Sequence, residues 1–173
     1  MTISERASRP LSSRDPRLEP WRAFLQAHAH VTRRLDEELR TEHDLSLAEY
    51  DALLTIADAP ERRIRMRQLA DRVILSKSGV TRLIDRLVAD GLVERSTCLV
   101  DGRGAEAVLT PSGLDRLRRA SGTHLRGIAN HFLEVLDPAD LQVIDRSMQA
   151  VARRAGPAGD LEPCAPDLET ADR

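Results

Sequence analysis

Aromatic residues are almost missing from this chain, with one Trp, one Tyr and two Phe among 173 residues. A core without large rings has to be built from Leu, Val, Ile and Ala, a composition that packs as helices more readily than as a large sheet. Cysteine is as sparse, with only Cys98 and Cys164. Two thiols so placed exclude a disulfide framework and agree with a reducing compartment. No apolar run approaches the roughly 18 residues of a transmembrane helix, and the opening "MTISERASRPLSSRDP" has no apolar stretch to act as a secretory signal. A cytoplasmic protein with no membrane partner is expected. Also missing are a Gly-rich phosphate loop, a nucleophile elbow and a close pairing of carboxylates with a His, so no enzyme and no cofactor are expected.

What is present is charge, unevenly placed. The chain as a whole carries a formal −2, yet residues 60–105 hold ten Lys or Arg against six Asp or Glu. A polyanion responds to charge within about a Debye length, roughly 8 to 10 Å, so this local excess matters more than the total.

Residues 1–17 and 156–173 lack periodicity, are rich in Ser, Pro, Gly and charge, and read as disordered tails around a domain over 18–155. Trp21, Phe24, His28, Val31, Leu35 and Leu39 recur at steps of three and four, which predicts a helix over about 19–42. Ser46 and Glu49 form a capping box for a second helix that Pro60 stops. After the basic connection "ERRIRMRQ", a short helix over "MRQLADRV" turns its Leu69, Ala70 and Val73 inward, and a further one follows. From Gly91 the period changes: "LVERSTCLV" and "AEAVLT" flank "DGRG" and predict a two-stranded hairpin. Thr110 with Pro111, and later Asp137 with Pro138, open two last helices within 111–154. The fold class is therefore mainly α with a small β-hairpin. Long apolar helices at both ends carry more stripe than one small core covers, so a homodimer is expected.

The stretch "SKSGVTRLIDRL", residues 76–87, raises the functional question. At 100° per residue Val80, Leu83, Ile84 and Leu87 share one side, Ser78, Arg82, Asp85 and Arg86 the other, and Lys77 and Thr81 flank them. Ser76 is a good N-cap. A first turn of small donor residues suits a helix that enters the DNA major groove and meets phosphates. The preceding short helix supplies the packing of a helix-turn-helix, and Arg103 on the slender hairpin tip suits a minor groove. Together they read as a winged helix-turn-helix. The competing reading is a capped surface helix with solvated arginines; in a different class, the same fold serves as a protein-interaction module without specific DNA binding. Lys77, Arg82 and Arg86 favour DNA over an acidic or apolar partner.

"LSLAEYDALLTIADAP" (45–60), "MRQLADRVILSKSGVTRLIDRLVADGLVER" (66–95), the hairpin residues Asp101 and Arg103, and "VLTPSG" (108–113) resemble the MarR family of bacterial transcriptional regulators. The resemblance implies a homodimer joined by its terminal helices (about 19–42 and 111–154), with two winged lobes (about 46–110) on a palindromic double-stranded operator. It also implies repression, relieved by a small, often aromatic effector. Carried over by position, Ser76, Lys77, Ser78, Thr81 and Arg82 fall where the family's recognition helix meets bases and phosphates. Arg103 matches the wing arginine, Asp101 the acid that orients the tip, and Arg86 and Arg95 are expected on the DNA backbone. Gly104 departs from the pattern, in which a second polar residue is common.

Weaker signals remain. Trp21, His28 and Tyr50 are candidates to line an effector pocket between the dimerisation helices and the lobe, with core packing as the alternative. His28 and His30 point to different faces, and His124 and His131 share a face without an acid or Cys at ligand spacing, so no metal site is expected. Cys98 and Cys164 read as passive thiols.

Overall fold

The computed structural model describes residues 11–73, 77–97 and 105–155. Helix α1 spans Glu19–His43 behind a 3-10 turn at Pro16–Leu18. Residues 11–17, within the stretch read as a tail, are tied to that turn: the Asp15 carboxylate accepts from the Arg17 amide at 2.9 Å, and the Arg22 guanidinium donates to the Ser13 carbonyl. α1 ends where Asp44 adopts a left-handed conformation (φ 50°), a position that a short polar side chain tolerates.

Helix α2, Leu47–Ala57, starts with the expected capping box: Ser46 Oγ accepts from the Glu49 amide at 3.2 Å, and Glu49 Oε2 accepts from the Ser46 amide at 2.8 Å. Because Ser46 is buried, replacing it orphans donors that water reaches poorly. Ser46→Ala is expected to lower stability by about 1 kcal/mol, read from the midpoint of urea unfolding.

Strand β1, Arg63–Arg65, leads into α3, Met66–Arg72, and α4, Lys77–Ala89; strands β2, Val93–Thr97, and β3, Ala105–Leu109, follow. The expected two-stranded hairpin is thus a three-stranded antiparallel sheet of order β1-β3-β2. Arg63 pairs with Val108, Ile64 with Ala107 and Arg65 with Glu106. A lone hairpin is marginal; β1 occupies the second edge of β3 and turns Ile64 into the core. Three residues, Arg-Ile-Arg, are too short for period-2 patterning to stand out in the sequence.

Thr110 caps α5, Pro111–Ile128, by accepting from the Gly113 amide at 2.9 Å. A single π-helical turn at Ala129–Leu133 prolongs it, and Asp137, accepting from the amides of Ala139 and Asp140, opens α6, Pro138–Ala155. The core joins Leu39 of α1, Leu53 and Ile56 of α2, Leu69 of α3, Leu83, Ile84 and Leu87 of α4, and Leu117 of α5. α1 and α5 approach so closely that a Cβ on Gly127 would lie 2.5 Å from both Leu35 Cδ2 and Glu38 Oε2. His43 with Thr123 at 2.8 Å and His131 with Glu38 at 2.7 Å tie the same two helices.

Of the apolar stripe on α1 only Leu35 and Leu39 are buried; Trp21 and Phe24 stack on each other at 5.9 Å in the open. α6 buries no residue and exposes Val143, Met148 and Val151. No described helix is long and apolar enough to cross a membrane.

Candidate nucleic-acid interface

α4 is seated by Val80, Leu83, Ile84 and Leu87, each at most 1 % exposed. Burying four such side chains stabilises by several kcal/mol in all and fixes the rotation of the helix about its axis. Ser78, Thr81, Arg82, Asp85 and Arg86 are thereby exposed on the opposite face, as expected. With Ala48 and Gly79, the side chains of Arg82, Asp85 and Arg86 surround an open hollow beside the start of α2.

The arginines of this face are not equivalent. Arg86 Nε lies 3.3 Å from Glu49 Oε1, so the carboxylate that caps α2 also holds α4. Arg95, on β2, reaches back 2.8 Å to Asp85 Oδ1 and donates at 3.5 Å to the Thr81 carbonyl. The Arg95–Asp85 pair is exposed on both sides, and such pairs contribute about 0 to 1 kcal/mol, whereas in the other pair the Arg86 guanidinium is exposed and the Glu49 carboxylate largely covered. Their effect is geometric: they lock the side chains and tie β2 to α4. Arg82 is exposed and makes no ion pair with a described residue. Glu49 and Asp85 are site residues that the sequence reading missed as such; the only sequence signal is an acid on the face of α4 shared with its arginines. Ser76, Asp101 and Arg103 lie outside the described residues, as does Cys98, and only the backbone of Lys77 is described.

The MarR family profile matches residues 43–104, the segment from the end of α1 into the hairpin. A repressor of the helix-turn-helix type from Bacillus subtilis, YetL, is 32 % identical over 85 residues, 49 % of this chain and 51 % of that protein. The crystal structure of Sco3205, a MarR family transcriptional regulator from Streptomyces coelicolor in complex with DNA, superposes with a TM-score of 0.77 at 28 % identity, covering 87 % of this chain and 92 % of that one. AbsC, a MarR family transcriptional regulator from the same organism, is 30 % identical with a TM-score of 0.75, over 85 % of this chain and 97 % of its own.

The chain belongs to the MarR family. It is a family of transcriptional regulators, and the structural likeness takes in most of this chain as well as the winged lobe.

The three effector candidates of this MarR-family chain are not brought together. Trp21 stands on the exposed outer part of α1. Tyr50 is buried between α2 and α5, its ring 4.4 Å from that of His124 and its hydroxyl donating at 3.4 Å to Ser121 Oγ. Burial lifts the Tyr50 phenol above its ordinary pKa and lowers that of His124, so both stay neutral as packing groups. His28 alone borders a groove of about 640 Å³, between α1 (His28, Arg33), α2 (Asp51, Leu54) and the end of α3 (Arg72, Val73). Two carboxylates in this groove behave oppositely. Burial acts to raise Asp36, but hydrogen bonds from Arg40 and the Leu47 amide outweigh it and hold the carboxyl below its usual range. Asp51 receives no such bond from a described residue, and although the residue is partly exposed, crowding by neighbouring atoms pushes its carboxyl up to about 6. Among the described residues no group of three His, Cys, Asp or Glu could hold a metal ion.

Proposed function

We propose that this chain is a sequence-specific DNA-binding transcriptional regulator, a homodimer that represses from a palindromic operator and releases it when a small effector binds. The observation that carries the reading is the exposed row Ser78, Thr81, Arg82 on a helix whose opposite face is sealed into the core. A major groove about 12 Å wide admits such a helix, and Arg82 has the reach and bidentate donors for a guanine edge. Arg86 and Arg95 keep unused donors for phosphates while Glu49 and Asp85 fix their direction. By position Arg103 is assigned to the adjacent minor groove and Asp101 to orienting the wing tip.

Dimerisation is supported by apolar surface that one chain leaves open: Trp21, Phe24 and Leu25 on α1, Leu133 and Val135 after α5, and the exposed stripe of α6. The effector reading is supported by the groove holding His28, Arg33 and Asp51, because Arg72 and Val73 on its rim directly precede the link into α4. A ligand there shifts DNA binding only as far as it prefers one lobe position over the other.

The test is selection of bound duplexes from a random library at moderate salt. A palindrome with half-sites about one helical turn apart is the expected product. No enriched sequence, with binding that fades uniformly as salt rises, would sink the reading.

A further inference from the structure

The basic connection between α2 and α3 contributes nothing to the interface described above. It carries Arg62, Arg63, Arg65 and Arg67, and of these Arg63 alone is turned inward, 3.6 Å from Glu106 and 3.6 Å from Glu61. That arginine therefore faces the one acid of the connection, Glu61, together with Glu106 of β3. Arg62, Arg65 and Arg67 are exposed, and neither Arg62 nor Arg67 forms an ion pair with a described residue.

The strand register says where these side chains stand. Arg65 lies opposite Glu106, and the neighbouring residue Ala105 pairs with Thr97 at the last described step before the hairpin tip. Arg65, and Arg67 two residues on in the first turn of α3, thus sit at the tip end of the sheet. Arg62, three residues earlier, sits roughly 10 Å towards its other end. Helix stability does not account for the pair. Ser46, Thr110 and Asp137 supply capping oxygens to α2, α5 and α6, whereas α3 has Arg65 at its N-cap, no side-chain cap and no acid in its first turn. Cations at that end of a helix cost a few tenths to about 1 kcal/mol each.

We infer that Arg65 and Arg67 form a second contact with the sugar-phosphate backbone of duplex DNA, flanking the stretch read by α4. The inference rests on the DNA-binding reading above and adds to it a surface that carries affinity without base preference. The first helix of a helix-turn-helix crosses the DNA backbone, which brings a cation pair at its start within reach of phosphates.

The experiment compares the full chain with an Arg65→Gln/Arg67→Gln variant, an Arg65→Lys/Arg67→Lys variant and Arg62→Ala, on the selected operator and on a random-sequence duplex. Binding is measured across a salt series. Each phosphate contact contributes about 0.9 to the slope of log K against log salt, so the Gln variant should lose about 2 per bound protomer. Its affinity should fall by the same factor on both duplexes, with operator preference retained. The Lys variant should keep the wild-type slope, as should Arg62→Ala. A Gln variant whose slope matches wild type, while Arg82→Ala still weakens operator binding, overturns the inference and leaves the DNA reading standing. A wild-type chain that binds neither duplex at low salt overturns both. Methylphosphonate substitution at the flanking phosphates gives the same readout without altering the protein: it should weaken wild type and leave the Gln variant unchanged.

Discussion

Arg82→Ala is expected to weaken operator binding by about 1 to 3 kcal/mol, roughly 5- to 150-fold, and to relax the preference at one base pair of each half-site. The magnitude follows from what is lost, a bidentate guanidinium whose base partner is left without its donors. Arg82 is exposed and free of ion pairs with described residues, so thermal stability should be unchanged, which separates a lost contact from a lost fold. Arg86 and Arg95 behave differently because each shares its charge with Glu49 or Asp85. Arg103→Ala, at the wing tip, should weaken binding with less effect on base preference, since the minor groove carries a poorer code. Equilibrium titration of the selected duplex and of its single-base variants measures all of this. Unaltered affinity and preference in Arg82→Ala at moderate salt would remove α4 as the reading element.

The sequence made the helices legible because their signals are local and repeated. The Ser46 box, the Thr110 cap and the Asp137 cap each sit where the structure uses them, and the buried positions of α4 are the four that a period of 3.6 selects. Two kinds of feature were not legible. Strand β1 is held by pairing with β3, more than forty residues on, and three residues hold too little pattern to announce a long-range partner. The ion pairs Arg86–Glu49 and Arg95–Asp85 depend on how α2 and β2 are set against α4, which no periodicity on one element encodes. Trp21, His28 and Tyr50 stand apart within one chain for a related reason. Residues on a common helical stripe need not share an environment when the helix outruns the core, and α1 leaves the core after its inner half, with Trp21 exposed and Leu39 buried.

The largest loss of stability is expected from Gly113→Ala, one of the smallest possible changes. Gly113 lies in the first turn of α5, where alanine gains about 1 kcal/mol over glycine by helix propensity alone. Against this, a Cβ at Gly113 would stand 2.0 Å from the Leu92 carbonyl oxygen and 2.8 Å from Leu109 Cδ1. The Leu109 methyl can rotate away, but the carbonyl is backbone and already accepts from the Thr110 amide at 3.1 Å. Relief therefore requires α5 to lift from the turn at Gly91 and Leu92, breaking that bond and pulling on the Thr110 hydroxyl, which donates to the Gly91 carbonyl at 2.8 Å. Overpacking of this kind costs about 1 to 3 kcal/mol, and the lost hydrogen bonds about 1 kcal/mol each. The repulsive side outweighs the propensity gain, leaving a net loss of roughly 2 kcal/mol. Because Leu92 leads from α4 directly into β2, the displacement also changes the angle between α4 and the sheet. Urea unfolding of Gly113→Ala should show a lower midpoint, and operator affinity should fall more than random-sequence affinity, since only the specific complex needs both elements in register. A midpoint equal to or above that of wild type would mean that this turn yields without cost and that the Gly113 contact does not set the wing.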